Sequence, residues 1–305
     1  MQSFARKFCT SSALVHHSNN ALFKQSINYT PLYQMSVKQH FKVTKKAMAQ
    51  QEKQTIDSKK LYSFPHPIWS QEEVKNCPIT SKQRITIGDS FAYYFIQSLR
   101  VGFDVMSGYK KIFPWQSSQV SERKWINRMI FLETVAGVPG FVAGMVRHLR
   151  SLRNMERDQG WIHTLIEEAE NERVHLLTFL QVRQPSNIFR MGVIFAQVWY
   201  VALFSSLYIA FPRVTHRVVG YLEEEAVKTY THCLSEIEKE NSPLSHWKTK
   251  AAPEIAKGYW NLGENATMKD VVYAVRKDEE HHKDVNHDFA DDYTQQQPNP
   301  YSPEQ

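Results

Sequence analysis

Glu172-Arg-Val-His175 and Glu279-Glu-His-His282 are the stretches on which the reading of this chain turns. A helix sets residues three apart on one face, so each motif offers a carboxylate and an imidazole side by side. Two more acids stand in separate amphipathic segments: Glu133, in Phe131-Leu-Glu-Thr134, and one of Glu223, Glu224 and Glu225. The chain order is therefore Glu, Glu-x-x-His, Glu, Glu-x-x-His. A four-helix bundle delivers ligands to a pair of metal ions in this order, as in ferritin-like carboxylate-bridged proteins. The expected fold is all-α: a ferritin-like four-helix bundle with a two-metal centre.

A single E-x-x-H arises easily on a solvated helix, so the neighbours decide its meaning. Glu172 and His175 share a stripe with Trp161, Leu165, Ala169, Leu176 and Phe179. Glu279 and His282 share one with Val272, Val275 and Phe289. Acids on such a core-facing stripe are costly unless paired or bound to metal. The same test separates the glutamate triplet. Glu223 is in phase with Val219, Ala226, Val227, Tyr230 and Leu234, whereas Glu225 is in phase with Lys228, His232 and Glu236, and Glu224 lies near Lys228 and Thr231. Glu223 is expected to point into the bundle. The stripe also brings Tyr230 near the metals, either as a core tyrosine with a satisfied hydroxyl or as a redox group. Mixed carboxylate and imidazole ligands without cysteine suit iron or manganese, not structural zinc. Four carboxylates and two divalent ions also come close to neutrality, which eases their burial.

The chain has 305 residues and a net charge of +6. Seven of its 37 Lys and Arg lie in residues 1–50, which hold no acid. The rest of the chain carries 30 basic against 31 acidic residues. The basicity belongs to the leader, so a nucleic-acid partner loses its support. An acid-free, basic, Ser-containing N-terminus without a continuous apolar core reads as a mitochondrial transit peptide. Residues 51–86 are polar and Pro-containing and read as an extended arm. Residues 87–293 form the helical domain, and 294–305 a polar, disordered tail. Within the domain, helices are expected at about 87–112, 121–150 with a kink at Pro139, 161–182, 214–240 and 268–292, the last opened by Thr267 and Asp270. Residues 241–266 read as a linker. Cys9, Cys77 and Cys233 have neither disulfide nor metal spacing.

Met191 to Phe211 is an uncharged apolar run long enough to span a bilayer, roughly 32 Å as a helix. Spanning would put Glu172 and Glu223 on opposite sides of the membrane, where they could not share a metal pair. The run is therefore expected to be a crossover helix lying in the membrane interface, one face on the bundle and one in lipid. The first helix, with Phe91, Phe95, Leu99 and Phe103, would lie beside it.

Longer runs make the chain recognisable: Leu132-Glu-Thr-Val-Ala-Gly-Val-Pro-Gly140, Glu168-Ala-Glu-Asn-Glu-Arg-Val-His175, Tyr221-Leu-Glu-Glu-Glu-Ala226, Ala266-Thr-Met-Lys-Asp-Val-Val272 and Asp284-Val-Asn-His287. Over 87–293 the chain strongly resembles the alternative oxidases, cyanide-insensitive mitochondrial ubiquinol oxidases. The resemblance implies two non-haem iron ions held by Glu133, Glu172, Glu223 and Glu279, with His175 and His282 as ligands or close neighbours. It implies supporting roles for Asn171, Asp278 and His216, and a tyrosine near the metals at Tyr230. It also implies a quinol pocket at Arg128, Leu132, Glu225, Ala226 and Thr229, with Arg100 and Asp104 less securely aligned. The partners it implies are ubiquinol, oxygen and inner-membrane lipid, on the matrix side, and a homodimer is compatible. From sequence alone, Arg128 is either a quinone-oxygen donor or a surface arginine. Two departures stand out. Relatives often have Ala where this chain has Glu280, which is out of phase with the apolar stripe and reads as surface. Cys77 does not align with the regulatory cysteine of the plant enzymes. The rival functions are a plastid-type quinol oxidase, a quinone-ring hydroxylase and a non-catalytic iron-binding bundle.

Overall fold

The computed structural model describes residues 66–109, 119–293 and 298–301. The expected leader and the first part of the arm lie outside the described residues. The described chain is helical, with one isolated antiparallel bridge between Ala251 and Thr267. Its elements are α1 (Gln71–Lys75), α2 (Ile87–Met106), α3 (Glu122–Asn154), α4 (Trp161–Val182), α5 (Asn187–Ala210), α6 (Pro212–Glu238), a 3-10 turn (Ser245–Lys248), α7 (Glu254–Tyr259) and α8 (Met268–Asp292).

Four helices make the bundle, in two pairs. α3 packs along α4, and α6 along α8. The backbones approach closely within each pair. A Cβ at Gly140 on α3 would stand 2.4 Å from the Leu165 carbonyl oxygen, and one at Gly220 on α6 would stand 2.5 Å from His287 Nδ1. Only glycine permits such approach. Outside the bundle, α2 rests on α6 and α5 rests on α3. Capping boxes fix the starts of α1 (Ser70 with Glu73), α2 (Thr86 with Asp89) and α8 (Thr267 with Asp270), each satisfying helix N–H groups that have no partner within the helix.

Several boundaries differ from the sequence reading, each for a local reason. α2 ends at Met106, not near 112, because the chain turns at Gly108 with φ 63°. α5 begins before Met191, because Ser186 caps it through the Phe189 N–H. Pro212 does not merely end the apolar run. It is the first residue of α6, where its missing N–H does no harm. α3, which holds Pro139 within it, runs on to Asn154, past the expected end near 150, and closes on Met155 in the left-handed conformation. The segment read as a linker contributes Leu244, Trp247, Ala256, Tyr259 and Trp260 to the core. The arm is not simply extended: Val74 and Cys77 are buried, and the Arg276 guanidinium donates to the Val74 carbonyl at 2.8 Å. In the segment read as a disordered tail, Asn299 is buried and donates to Thr164 Oγ1 at 2.7 Å and to the Gly160 carbonyl at 3.0 Å. Glu280 is buried rather than on the surface, and accepts from Lys277 Nζ at 2.6 Å.

Among the described residues two helices, α3 and α5, are long and apolar enough to cross a membrane. α3 is half buried in the bundle, but α5 buries only Phe204 and Tyr208. Met191, Phe195 and Trp199 on α5 stand exposed, as do Phe91 and Leu99 on α2. Gln197, a polar side chain within the α5 run, donates its amide to the Thr134 carbonyl on α3 at 2.7 Å. Large exposed apolar faces of this kind mark an interaction surface.

Candidate metal centre and the cavity beside it

The four bundle helices carry their acids to one place. Ligand atoms of Glu133 (α3), Glu172 and His175 (α4) and Glu279 (α8) lie within 4.8 Å of one another, and all four side chains are buried. His175 Nδ1 is 3.4 Å from Glu133, 3.5 Å from Glu172 and 3.5 Å from Glu279. His282 Nδ1 is 2.8 Å from Glu172 and 3.8 Å from Glu279. Glu223 (α6) is buried against Glu279. Of the triplet it is the one that meets the cluster. Glu224 faces the arm instead, accepting from Ser81 Oγ at 2.6 Å and the Lys82 N–H at 2.7 Å and pairing with His287 Nε2 at 3.0 Å.

Such a cluster is expensive without cations. Burial and the neighbouring acids, Glu172 for Glu133 and Glu279 for Glu223, push both carboxyls well above the ordinary range. Burial acts the same way on Glu172, but His175 and His282 outweigh it and hold the group below that range. Both imidazoles are raised against the opposing effect of burial, chiefly by Glu172. Beyond their contacts with one another, Glu133 Oε2, both Glu172 oxygens, Glu279 Oε2, His175 Nδ1 and His282 Nδ1 have no hydrogen-bond partner among the described residues. Buried polar atoms are seldom left so. Converging oxygen and nitrogen atoms with open lone pairs fit divalent metal ions, and no thiol is among them.

Other groups orient the cluster. His175 Nε2 meets Asp278 Oδ2 at 3.1 Å. Asp278 also accepts from Trp69 Nε1 at 2.5 Å, Trp260 Nε1 at 2.7 Å and Asn171 Nδ2 at 3.0 Å. Burial pushes the Asp278 carboxyl up, but His175 and Trp69 more than offset it and leave it lowered and ionised. An ionised acid holding the far nitrogen fixes which face of the imidazole looks at the cluster. His216 touches no cluster acid directly. Its Nδ1 pairs with Asn286 Oδ1 at 3.0 Å, and Asn286 donates to the His282 carbonyl at 3.0 Å and to Glu168 at 2.8 Å. Burial lowers the His216 pKa to about 4, so the ring is neutral at pH 7. Tyr230 donates its hydroxyl to Glu133 Oε1. Burial and Glu133 raise that phenol well above its usual value, so it keeps its proton.

A cavity of about 310 Å³ opens on the other side of the cluster. Glu133, Glu223, Glu279 and Tyr230 close its inner end, and apolar side chains from α2, α3, α5 and α6 form most of its walls. Arg100, Arg128, Leu132, Glu225, Ala226 and Thr229 all line it. Asp104 does not. It is fully buried behind the wall, pairing with Arg128 Nη2 at 2.7 Å and Arg100 Nε at 3.3 Å. Arg128 is therefore no surface residue: it is buried between the rings of Phe103 and Tyr109, with Nη1 donating to Ser107 Oγ at 3.1 Å. Arg100 is tied to the Glu225 carboxylate, which also accepts from Gln97 at 2.8 Å and Lys228 at 2.7 Å. The Thr229 hydroxyl donates to the Glu225 carbonyl at 2.8 Å.

Sequence reading missed Trp69, Trp260, Asn286 and Tyr208, whose hydroxyl meets His216 Nε2 at 3.0 Å. Asn286 falls inside the Asp284–His287 motif with no spacing that marks it out, and the indole donors carry no spacing signal. Trp69 lies in a segment read as a featureless arm, 209 residues from its acceptor.

Comparison with known proteins agrees with this geometry. The family model described as alternative oxidase matches residues 69–291. The chain is 46% identical over 230 residues to the mitochondrial alternative oxidase of Emericella nidulans, covering 74% of this chain and 64% of that protein. It is 44% identical over 248 residues to that of Ajellomyces capsulatus, covering 79% and 69%. It is 44% identical over 241 residues to that of Trypanosoma brucei brucei, covering 79% and 70%.

Proposed function

Since the chain belongs to the alternative oxidase family, we propose that it is a ubiquinol oxidase: it oxidises two quinols and reduces one oxygen molecule to two waters, insensitive to cyanide and without proton pumping. The observation that carries this reading is the cavity, apolar along its walls and ending on Glu133, Glu223, Glu279 and Tyr230. A quinol ring at its inner end would sit beside the cluster, out of water.

Glu133, Glu172, Glu223 and Glu279 would hold two iron ions, with His175 and His282 beside or upon them. When bound, the pair supplies the redox chemistry by which oxygen accepts electrons two at a time. The chain positions everything else. Arg128, fixed by Asp104 and the Phe103 and Tyr109 rings, holds positive charge in the cavity wall and donates to a quinone oxygen. Thr229 and Glu225 line the same cavity, where Leu132 and Ala226 would pack against the ring. Tyr230 stands between cavity and cluster with its hydroxyl on Glu133, placed to pass a proton or an electron.

The exposed apolar residues of α2 and α5 support an enzyme lying in one leaflet of a membrane, since both helices also wall the cavity. A quinol could then move from lipid into the site without crossing water. The basic, acid-free leader and the mitochondrial relatives support the matrix face of the inner membrane. An exposed apolar row on α3, Phe141, Met145, Leu149 and Leu152, supports a homodimer. The test is oxygen uptake by the purified protein with a short-tail ubiquinol in the presence of cyanide. Rapid uptake is expected. Uptake abolished by cyanide, or absent with iron bound, would overturn the reading.

A further inference from the structure

A second cavity flanks the cluster, and it is unlike the first. It encloses about 150 Å³ between α4 and α8 and shares no lining residue with the apolar cavity. Its inner end is formed by Asp278 and His282, the latter in contact with Glu172. Thr164, Glu167, Glu168 and His281 continue its lining outward, and among the described residues no Lys or Arg contributes. Glu167 and His281 are only half buried, so the cavity reaches the surface. None of its lining comes from α2 or α5, the helices with exposed apolar faces. It opens to water, whereas the first cavity opens toward those faces.

We propose that this second cavity is the port through which a hydrated divalent cation reaches and leaves the cluster. The inference rests on the reading of the cluster as a metal centre. A dication moving through the apolar cavity would lose its hydration shell with little to replace it. In the polar cavity the carboxyls of Glu167 and Glu168, whose pKa burial raises to about 7 and which ionise as a cation displaces their protons, and the hydroxyl of Thr164 replace water oxygens one by one, as hard cations require. Acids along a narrow cleft also raise the local concentration of cations. The covering parts are Tyr301 and the arm residues His66 and Pro67. Tyr301 is pinned by a 2.6 Å bond to Asp288 and stands edge-on to His281, and His66 stacks on Tyr259. The C-terminal segment, read from sequence as a tail, thereby narrows the mouth of the port.

The experiment follows iron rather than oxidation. Iron-loaded protein is reduced and mixed with excess ferrous chelator, and the rate of iron release is recorded. Reloading of the metal-free protein by ferrous ion is followed in the same way. Tyr301→Ala should speed release several-fold, while Tyr301→Phe, which keeps the ring, should not. Glu167→Lys should slow reloading several-fold, Glu167→Gln less, and the gap between them should narrow as salt screens the charge. Leu99→Trp, which narrows the outer part of the apolar cavity, should leave both rates unchanged. Rates unmoved by Tyr301→Ala and Glu167→Lys, or slowed by Leu99→Trp, would overturn the port. A purified protein that binds no iron would instead overturn the metal centre itself, so the two failures are distinguishable.

Discussion

The two flanks of the cluster are built on opposite principles. On the α4–α8 flank, Asp278 accepts from His175, Asn171, Trp69 and Trp260 together, so one buried anion is saturated with donors drawn from three separate parts of the chain. On the α3–α6 flank, Glu133 and Glu223 face a largely apolar cavity, with Tyr230 the nearest donor. A saturated flank holds geometry, and an open flank leaves room for a substrate. The contrast predicts that substitutions on the first flank act through metal content and those on the second through quinol kinetics with metal retained.

The largest effect belongs to the cluster itself. Glu172→Ala or Glu279→Ala should lose iron and all oxidase activity. Metal analysis on the variants checks this, and retention of about two irons per chain by either would break the proposed assignment. Removing iron from the unaltered protein should also lower its thermal midpoint, because metal binding is coupled to folding. Asp278→Ala comes next. It frees His175, leaves two indole N–H groups unsatisfied and leaves the Asn171 amide only its bond to the Tyr259 hydroxyl, which should cost about 10–100-fold in iron affinity or activity. A variant with normal iron and turnover would show that the saturated flank is ornamental.

On the open flank, Arg128→Ala should raise the apparent KM for quinol by about tenfold or more, the size expected for a lost bond to a charged donor. Thr229→Ala should do so less, and both should keep their iron. Iron loss in either would dissolve the distinction between the flanks. The smallest effect tests the wall of the cavity rather than its lining. Asp89 completes the capping box of α2 with Thr86 and accepts from Arg217 Nε at 3.0 Å. Burial pushes its carboxyl up, but the Thr86 donors and Arg217 prevail and lower it. A group lowered in the folded protein stabilises above its unfolded pKa, and that contribution fades as pH falls through the folded value. Asp89→Asn should therefore destabilise by about 1–3 kcal/mol near neutral pH, with the difference shrinking below roughly pH 4. An equal destabilisation at acid pH would assign the effect to packing.

The bundle was legible because its signal is local and periodic. Glu172 with His175 and Glu279 with His282 announce themselves at i, i+3, and the stripe through Val219, Val227 and Tyr230 was enough to separate Glu223 from Glu224. What escaped was long-range or irregular. The same periodicity placed Glu280 on the surface, because it registers only a helix's own apolar face. It could not register that the arm, with Cys77, covers the other side of α8. Trp69, Asn299 and Tyr301 lie in polar, Pro-containing segments whose composition resembles disorder, yet single side chains anchor them to the bundle. Such anchoring depends on where one donor meets one acceptor, and no window average contains it.

The central claim, that a carboxylate cluster beside an apolar cavity couples quinol to oxygen, is tested most directly by the stoichiometry of the reaction in cyanide. Quinol loss and oxygen uptake are measured together on the purified protein, with catalase added in a parallel run. Two quinols should disappear for each oxygen, with no oxygen returned by catalase. One quinol per oxygen, with peroxide detected or oxygen incorporated into the quinone ring, would contradict the account.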